Sequence, residues 1–294
     1  MENIQKGGTS IASQLLDTFL TDRCEDYRVK MSSPIQSEES CSRLSPHFTY
    51  GSISIRQVYQ KLNELMPQLE NKKDLYSFKK RLYWHCHFVQ KLETEPELEF
   101  RSMHPFCDEL RTKEDSELIE RWIKGQTGFP FLDACISYLN SNGWINFRMR
   151  AMIMSFASYN LWQPWQKTSP LLAELFTDFE PGIHISQVQM QSGVTGINLP
   201  RIYSVFKQSL DQDPTAEWTK KIIPQLENVE TDLIHNAELR DLYFEQIVDP
   251  KLSAKKARDT IWAMRKNKDF KKIAREVYFK HGSRRRQQFN RASN

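Results

Sequence analysis

An aromatic residue followed shortly by two arginines stands out in the middle of the chain. Trp144 comes directly after an Asn-Gly pair, and Arg148 and Arg150 lie a few positions further on. The Asn-Gly pair interrupts a helical run, so residues 125–150 predict two helices joined by a turn, the second opened by Trp144. Such a helix start is unusual in a plain core, because a buried arginine is costly without a partner. We therefore take this segment as the centre of a candidate site.

A second pattern that could do chemistry is His85-Cys86-His87, whose residue types suit a metal ion. The surrounding residues 77–93 predict a helix, on which side chains two positions apart point roughly 200° apart. The two histidines therefore cannot reach one ion, and we predict ordinary packing and hydrogen bonding and no metal site.

The composition indicates a globular, mostly helical chain. Of its 294 residues 39% are hydrophobic and 12% aromatic, which excludes the class of disordered proteins. Glycine and proline are scarce, at 10 and 13 residues, and the alternation of Val, Ile and Thr that marks strands is nearly absent. We predict an all-α fold in a single domain, 1–294. Its parts are an N-terminal helix and connector (1–45), a core (46–264) and a basic C-terminal helix and tail (265–294).

Hydroxyl side chains mark the predicted starts of three helices, because Ser and Thr at the N-cap accept a hydrogen bond from the first turn. Proline is favoured at the first helical position, so Pro46 supports Ser45 as the N-cap of a helix. The predicted caps are Thr9 or Ser10, Ser45 before Pro46, and Ser52 or Ser54.

Two longer segments have a helical pattern and a third does not. Residues 8–30 place apolar side chains on one helical face, and residues 171–180 predict a short amphipathic helix. Residues 181–203 contain three glycines and no helical period. We therefore predict a long irregular segment there, and its apolar residues favour the lining of a site.

The net charge of +4 is unevenly distributed. Residues 265–294 hold eleven Lys or Arg residues against Asp269 and Glu276, a balance of +9. Such a segment is more often a solvated surface than an arm that binds a nucleic-acid backbone. The salt dependence of nucleic-acid binding distinguishes these two interpretations, since phosphate binding weakens steeply as the salt concentration rises.

Five cysteines, odd in number and without a Cys-x-x-Cys pair, favour a reducing compartment over a disulfide framework. The N-terminus lacks the apolar region of a signal peptide, and no apolar run approaches the length of a membrane span. We predict a cytoplasmic protein with no membrane partner.

Several motifs, in order along the chain, resemble the C-terminal FAD-binding domain of the photolyase/cryptochrome family. They are a Gly-x-Thr-Gly-x-Pro turn at 125–130, Asp133-Ala134, Gly143-Trp144 and Arg148-x-Arg150. The resemblance covers almost the whole chain, and it implies a photolyase/cryptochrome-type helical domain whose core binds FAD. Photolyases place an antenna-binding α/β domain before this one. The resemblance therefore implies a short variant that lacks the antenna domain.

The resemblance also implies which residues hold FAD. Arg150 would contact the flavin and pair with Asp178, and Glu180 would face the flavin ring and ribityl region. His184 falls at the position that faces flavin N5, where an imidazole could donate a hydrogen bond or exchange a proton near neutral pH. The phosphate cradle would comprise Ser42, Arg43, Leu44 and Ser45, with Cys41 in place of the family's Thr. The further cofactor-binding candidates are Tyr27, His85, Trp144 and Phe147.

The family's lesion-binding positions are altered here. By the resemblance, Arg81 stands where photolyases have a Glu, Phe147 where they have an Asn, and Ala151 where they have a Met. Met190 stands where they have one of two Trp residues, and Trp84 matches the other. The 6–4 photolyases of the family place histidines where this chain has Phe147 and Ala151, so neither lesion-binding pattern is met. We predict that the cofactor site is kept while the substrate site has been rebuilt.

The family's electron-transfer tryptophans are also depleted. By the resemblance Val188 replaces the flavin-proximal one, the outer one falls near Thr112, and only the middle one, Trp165, remains. The other candidates for a route are Trp162, Tyr159 and Trp122.

Three functions stay open. The leading hypothesis is a blue-light-driven flavoprotein that splits pyrimidine dimers in damaged DNA by electron donation from reduced FAD, a photolyase-type lyase. The alternatives are a cryptochrome-like light sensor with a signalling partner protein, and a flavoenzyme that acts on a small molecule. The catalytic candidates are His184, Trp165 and Trp84. The candidates for substrate or nucleic-acid binding are Arg81, Arg148, Met190 and Lys207, with Arg43 and the arginines at 284–286 as further phosphate contacts.

Overall fold

Every regular element in the part of the chain that the structure describes is a helix. A computed structural model describes residues 3–69 and 72–282, and the all-α prediction is confirmed there. The arginines at 284–286 and the rest of the predicted tail lie outside the described residues. The N-terminal helices are α1 (Thr9–Thr18), α2 (Tyr27–Lys30), α3 (Ser37–Ser40), α4 (Ser45–Thr49), α5 (Ile55–Leu65) and α6 (Lys72–Thr94).

The central and C-terminal helices follow with short 3-10 turns between some of them. The central ones are α7 (Ser116–Ile123), α8 (Pro130–Asn142), α9 (Phe147–Ser155), α10 (Trp165–Leu175) and α11 (Pro181–Gln191). The C-terminal ones are α12 (Val205–Gln212), α13 (Glu217–Ile222), α14 (Thr231–Asn236), α15 (Pro250–Lys266) and α16 (Lys268–His281). Helix α15 runs across the predicted border at 264/265.

The structure confirms one of the predicted N-caps and contradicts others. Ser54 caps α5 as predicted: Ser54 Oγ accepts from Gln57 N at 3.2 Å, and Gln57 Oε1 accepts from Ser54 N at 2.9 Å. The cap predicted at Thr9 or Ser10 is wrong, because the chain turns at Gly8 with φ 108°, a conformation that favours glycine.

Two further N-terminal expectations are corrected. Ser45 lies inside α4, whose N-cap is Leu44 and receives no side-chain hydrogen bond. Residues 8–30 do not form one helix, because α1 gives way to a π-helix, Phe19–Arg23, before the short α2. Asp26, which precedes α2, adopts the left-handed region with φ 57° and breaks the helical path.

The turn before α8 is held by one buried carboxylate. Asp133 accepts hydrogen bonds from Thr127 N at 2.9 Å, Thr127 Oγ1 at 2.6 Å and Gly128 N at 3.0 Å. Gly143 then ends α8 in the left-handed region with φ 66°. Helix α9 begins at Phe147 and not at Trp144 as predicted, because Asn146 is its extended N-cap.

The largest error of the sequence analysis concerns residues 181–203. Residues 181–191 form α11, and only the part after it, 192–204, is irregular. Buried side chains lie on all sides of α11, so its sequence has no amphipathic stripe. The helix predicted over 171–180 also differs, since α10 starts earlier, at Trp165, and ends at Leu175.

Helix α11 packs directly along α6. A Cβ atom on Gly182 would lie 2.6 Å from Val89 Cα, so this close approach of the two backbones requires glycine. The buried apolar residues form a large central cluster, which includes Trp122 and Phe156, and a separate N-terminal cluster around Phe19 and Leu62. Neither α6 nor any other helix of the described residues is long and apolar enough to cross a bilayer.

Candidate functional site

A cavity of about 280 Å³ opens between the N-terminal cluster and helices α9, α10 and α11. Apolar side chains predominate in its lining, with a few polar groups among them. This is the usual character of a small-molecule site. The N-terminal part of the chain contributes Tyr27, Met31, Cys41 and Ser45, α6 contributes Arg81, and the other lining residues lie within 144–154 and 172–191.

A bidentate ion pair lies in the cavity wall. Arg150 Nη1 and Nη2 donate to Asp178 Oδ1 and Oδ2, each at 2.9 Å, and Arg150 Nε donates to Ile145 O at 2.6 Å. The Asp178 side chain is only 4% exposed and that of Arg150 26%. The guanidinium carbon also lies 4.3 Å from the centroid of the Phe176 ring. Each of the three guanidinium nitrogens thus has a hydrogen-bond acceptor, which fixes the position of Arg150 in the wall.

His184 lines the cavity from α11 and is held by Ser169. His184 Nε2 lies 3.0 Å from Ser169 O and 2.9 Å from Ser169 Oγ. Since a carbonyl oxygen only accepts, Nε2 carries the proton and Nδ1 is left as an acceptor. Burial lowers the pKa of His184 to about 4. The imidazole is therefore neutral near pH 7, and its proton exchange with flavin N5 stays a prediction.

Two buried amide oxygens on the cavity wall have no hydrogen-bond partner among the described residues. They are Asn146 Oδ1 and Gln187 Oε1. The Asn146 amide is oriented by its nitrogen, which donates to Met31 O at 3.2 Å. A buried acceptor without a partner is rare in folded proteins, so both oxygens suit the N–H or O–H donors of a ligand.

Sequence reasoning missed these two amides. Asn146 lies between Trp144 and Arg148 in the segment that drew attention first, and Gln187 follows His184 by three positions. Knowing that 181–191 is helical would have placed Gln187 on the face of His184.

The predicted phosphate cradle at 41–45 only partly faces the cavity. Cys41 and Ser45 line it, whereas Ser42, Arg43 and Leu44 do not. Arg43 instead stacks on Trp144, with its guanidinium carbon 3.8 Å from the ring centroid. Burial raises the pKa of the Cys41 thiol to about 12, so it stays protonated.

Exposed groups form the mouth of the cavity. Phe147 is 47% exposed, and the guanidinium carbon of Arg81 lies 5.8 Å from its ring centroid. Arg81 contacts the Met31 sulfur at 3.8 Å and has no carboxylate partner within the described ranges. Nearby in sequence, Arg148 reaches Ser32 Oγ at 3.4 Å, and its Nε is buried without a partner among the described residues.

Two of the predicted site residues on α6 do not line this cavity. Trp84 is 45% exposed and stacks on Phe88, with ring centroids 5.4 Å apart. His85 contacts the Phe48 ring edge-on at 5.7 Å. Burial lowers the pKa of His85, and the charge of Glu180 opposes that shift, which shows that the two side chains are neighbours. Glu180 itself lines the cavity and accepts from Gly182 N at 3.4 Å.

Three further candidates also lie away from the cavity lining. Trp165 is buried at the start of α10, where its Nε1 donates to Ser102 Oγ at 3.1 Å. Lys207 is paired with Asp211 on α12 at 2.9 Å, and Met190 is half-buried at the end of α11. Across residues 3–69 and 72–282 no group of three or more His, Cys, Asp or Glu side chains could hold a metal ion.

The sequence matches a known protein family and several of its members. Residues 78–263 match the family model described as the FAD binding domain of DNA photolyase. The chain is 28% identical over 233 residues to the deoxyribodipyrimidine photo-lyase of Alkalihalophilus pseudofirmus, a match that covers 78% of this chain and 47% of the relative. It is 24% identical over 240 residues to cryptochrome-2 of Gallus gallus, covering 79% of this chain and 41% of that protein. The chain therefore spans about half the length of the curated relatives it matches.

Solved structures show the same fold. A bacterial class III photolyase from Agrobacterium tumefaciens superposes with a TM-score of 0.80 at 24% identity, covering 88% of this chain and 56% of that one. A cryptochrome from Synechocystis superposes with a TM-score of 0.81 at 21% identity, covering 88% of this chain and 58% of that one. The helical arrangement around the cavity is thus that of photolyases and cryptochromes.

Proposed function

The chain belongs to the photolyase/cryptochrome family through its FAD-binding domain, and on that premise we propose that it is a light-driven flavoprotein that splits pyrimidine dimers in damaged DNA. FAD is the cofactor, and when bound and reduced it supplies an electron under blue light. The observation that carries the proposal is the cavity wall itself, which holds a fixed Arg150–Asp178 pair and two amide oxygens without partners among the described residues.

The residues of the cavity fit FAD in type. Asn146 Oδ1 and Gln187 Oε1 are acceptors without partners in the part of the chain that the structure describes, and FAD carries ribityl hydroxyls, a ring N–H and an adenine amino group that need acceptors. Apolar side chains such as Met154, Leu172 and Val188 keep water away from a ring system. The remaining roles assigned to site residues are part of the same proposal.

Individual side chains would act as follows. Arg150, locked by Asp178, would orient the cofactor with a positive charge that cannot move away. His184 would present its accepting Nδ1 and stay neutral across the physiological pH range, because burial lowers its pKa to about 4. Cys41, with its pKa raised to about 12, would add a thiol and no charge.

The cavity mouth supports the choice of DNA as substrate. A base that leaves the duplex needs an aromatic surface to stack on and cations that hold its phosphates. Phe147 offers the surface, and Arg81 offers a cation without a carboxylate partner in the described residues. The dimer would take up one electron, lose the two C–C bonds that join its bases, and return the electron, so the reaction is redox-neutral overall.

The test is light-dependent repair by the purified, FAD-loaded protein. An oligonucleotide with a single thymine dimer should lose the dimer under blue light and keep it in darkness. Binding in darkness should weaken as salt rises, because phosphate contacts contribute. A protein that binds FAD but leaves the dimer intact under light, at substrate concentrations that saturate binding, would contradict the repair proposal.

A specific observation favours a second candidate, a light sensor that acts on a partner protein. Phe147 and Ala151 line the cavity at positions where the resemblance places an Asn and a Met that surround the lesion. A sensor predicts that light changes protease sensitivity without any DNA repair. Comparing cleavage patterns in light and darkness, alongside the repair assay on the same sample, separates the two.

We place the protein in the cytoplasm on its cysteine chemistry. Cys41, Cys86, Cys107 and Cys135 are free thiols, which suits a reducing compartment. Fractionation of the native host checks this location.

A further inference from the structure

A second cleft lies on another side of the molecule, between the irregular segment after α11 and helix α15. It has a volume of about 340 Å³ and shares no lining residue with the cavity described above. One wall consists of Pro200, Arg201 and Ile202, and the other of Arg258, Ile261 and Trp262.

The walls of this cleft are fixed by hydrogen bonds. Ser155 Oγ donates to Arg201 O at 3.1 Å and accepts from Tyr203 N at 3.2 Å, which ties the irregular segment to α9. Arg265 Nη1 donates to Asn198 O at 3.1 Å and so links that segment to α15. Ile261 is fully buried and anchors α15 from the other side. The cleft is therefore preformed, which reduces the entropic cost of binding.

Both walls carry an arginine without an acid partner. Arg201 and Arg258 are exposed, and within the described ranges neither guanidinium forms an ion pair. Asp259 is adjacent to Arg258 in sequence but points about 100° away from it around the helix. Two guanidinium groups on opposite walls suit an anion between them.

A buried cation behind the cleft strengthens the positive potential. Arg111 is 6% exposed, and its guanidinium carbon lies 4.5 Å from the Trp162 ring centroid and 5.4 Å from that of Tyr159. Both rings belong to the apolar cluster that also contains Ile261. Arg111 Nη1 donates to Ser192 O at 3.1 Å, whereas its Nε and Nη2 have no partner among the described residues. No acid of the described residues pairs with it, and its charge acts through a low-dielectric interior.

An exposed indole completes the cleft. Trp262 is 43% exposed and lines it one helical turn after Arg258. An exposed tryptophan beside arginines is the combination on which nucleotide bases stack while cations hold their phosphates.

We propose that this cleft binds an aromatic phosphate of the nucleotide class, with the base on Trp262 and the phosphate between Arg201 and Arg258. A free mononucleotide and the terminal nucleotide of a strand share this chemistry. The site is independent of the cavity between α9 and α11 and of the repair proposal.

The experiment is calorimetric titration of the full, FAD-loaded chain with AMP, adenosine and inorganic phosphate. AMP should bind at least about tenfold more tightly than either fragment, because it uses both the indole and the guanidinium groups. Arg258→Gln and Arg201→Gln should each weaken AMP about tenfold. Trp262→Leu should remove the advantage of AMP over phosphate. The matched control is Arg275→Gln, an exposed arginine on α16 outside the cleft, which should leave AMP affinity unchanged.

Three outcomes would overturn the proposal. The first is that no AMP binding is detected up to about 1 mM, a range that covers weak specific sites. The second is that AMP and phosphate bind with equal affinity. The third is that the Arg258→Gln and Arg275→Gln variants lose AMP affinity equally. Circular dichroism of each variant shows whether a loss reflects unfolding. Displacement of AMP by a short single strand that carries a 5′-phosphate would identify a strand end as the source. Failure to displace it would identify a free nucleotide, and both results support the shared chemistry.

Discussion

The inner wall and the mouth of the cavity between α9 and α11 hold their charged groups in opposite ways. On the inner wall Arg150 is locked to Asp178 by two hydrogen bonds of 2.9 Å, and His184 is held by Ser169. At the mouth Arg81 contacts the Phe147 ring, the Met31 sulfur and the Tyr27 side chain, with no carboxylate partner among the described residues.

This difference separates two tasks within one cavity. A cofactor site gains from side chains that are already in place before binding, since no ordering cost remains. A mouth that meets a varied or distorted substrate gains from exposed aromatic and cationic groups that adjust to it. The inner wall should therefore respond to substitution mainly in stability and cofactor content, and the mouth mainly in substrate binding.

The largest effect is expected from Arg150→Ala. It would leave the Asp178 carboxylate, 4% exposed, without its partner, which costs about 3–5 kcal/mol for a buried pair. The purified variant should lose its flavin absorbance, and chemical denaturation should show the lower free energy of unfolding. Arg148→Ala is the matched control, because its single contact of 3.4 Å is weak. Full flavin content in Arg150→Ala would contradict the assignment of the inner wall.

The next effect concerns pH and His184. Its folded pKa is about 4 against an ordinary 6.5, so its contribution to stability is complete above pH 6.5 and is lost as pH falls towards 4. The loss attributable to this residue should reach about 3 kcal/mol. Between pH 7 and pH 4 the unfolding free energy of the chain should fall by this amount more than that of His184→Asn. Other buried histidines contribute equally to both proteins, and parallel curves would show that His184 is not the group that titrates.

Gly182→Ala tests the packing that supports the inner wall. The new Cβ would lie 2.6 Å from Val89 Cα, and separating α11 from α6 should cost about 1–3 kcal/mol. Thermal unfolding measures the loss. Gly7→Ala is the control, since its Cβ would have no neighbour within 4 Å among the described residues. An equally stable Gly182→Ala would mean that the two helices move apart without cost.

The smallest effect on stability belongs to the mouth. Arg81→Gln should change the unfolding free energy by less than about 0.5 kcal/mol, as is usual for exposed side chains. It should nevertheless weaken binding of damaged DNA and reduce the salt dependence by about one phosphate contact. Lys113→Gln, at an exposed position outside the cavity lining, should leave both unchanged. Unaltered DNA binding in Arg81→Gln would remove Arg81 from the substrate site.

Local sequence signals predicted the helical class, the turn at Gly143 and the cap at Ser54 because each depends on neighbouring residues alone. Helix α11 escaped prediction because it is buried on all sides and so carries no periodic pattern. The Arg150–Asp178 pair came from the resemblance, and the structure brings the two side chains together.

The rest of the site depends on distances between elements that no local pattern encodes. Asn146 and Gln187 are informative only because their side-chain oxygens lack partners within residues 3–69 and 72–282. Trp84 and Trp165 are tryptophans of the expected type, yet neither lines the cavity, since α6 and α10 direct them elsewhere.

One wall of the cavity is contributed by Tyr27, Met31, Cys41 and Ser45, which precede the residues matched by the family model. At the proposed FAD site, the cofactor would be enclosed only after this N-terminal segment has docked onto α6 and α9. By mass action, a ligand that needs the docked form must also stabilise it. Loading with FAD should slow proteolytic clipping within residues 27–45, and clipping there should speed the release of flavin.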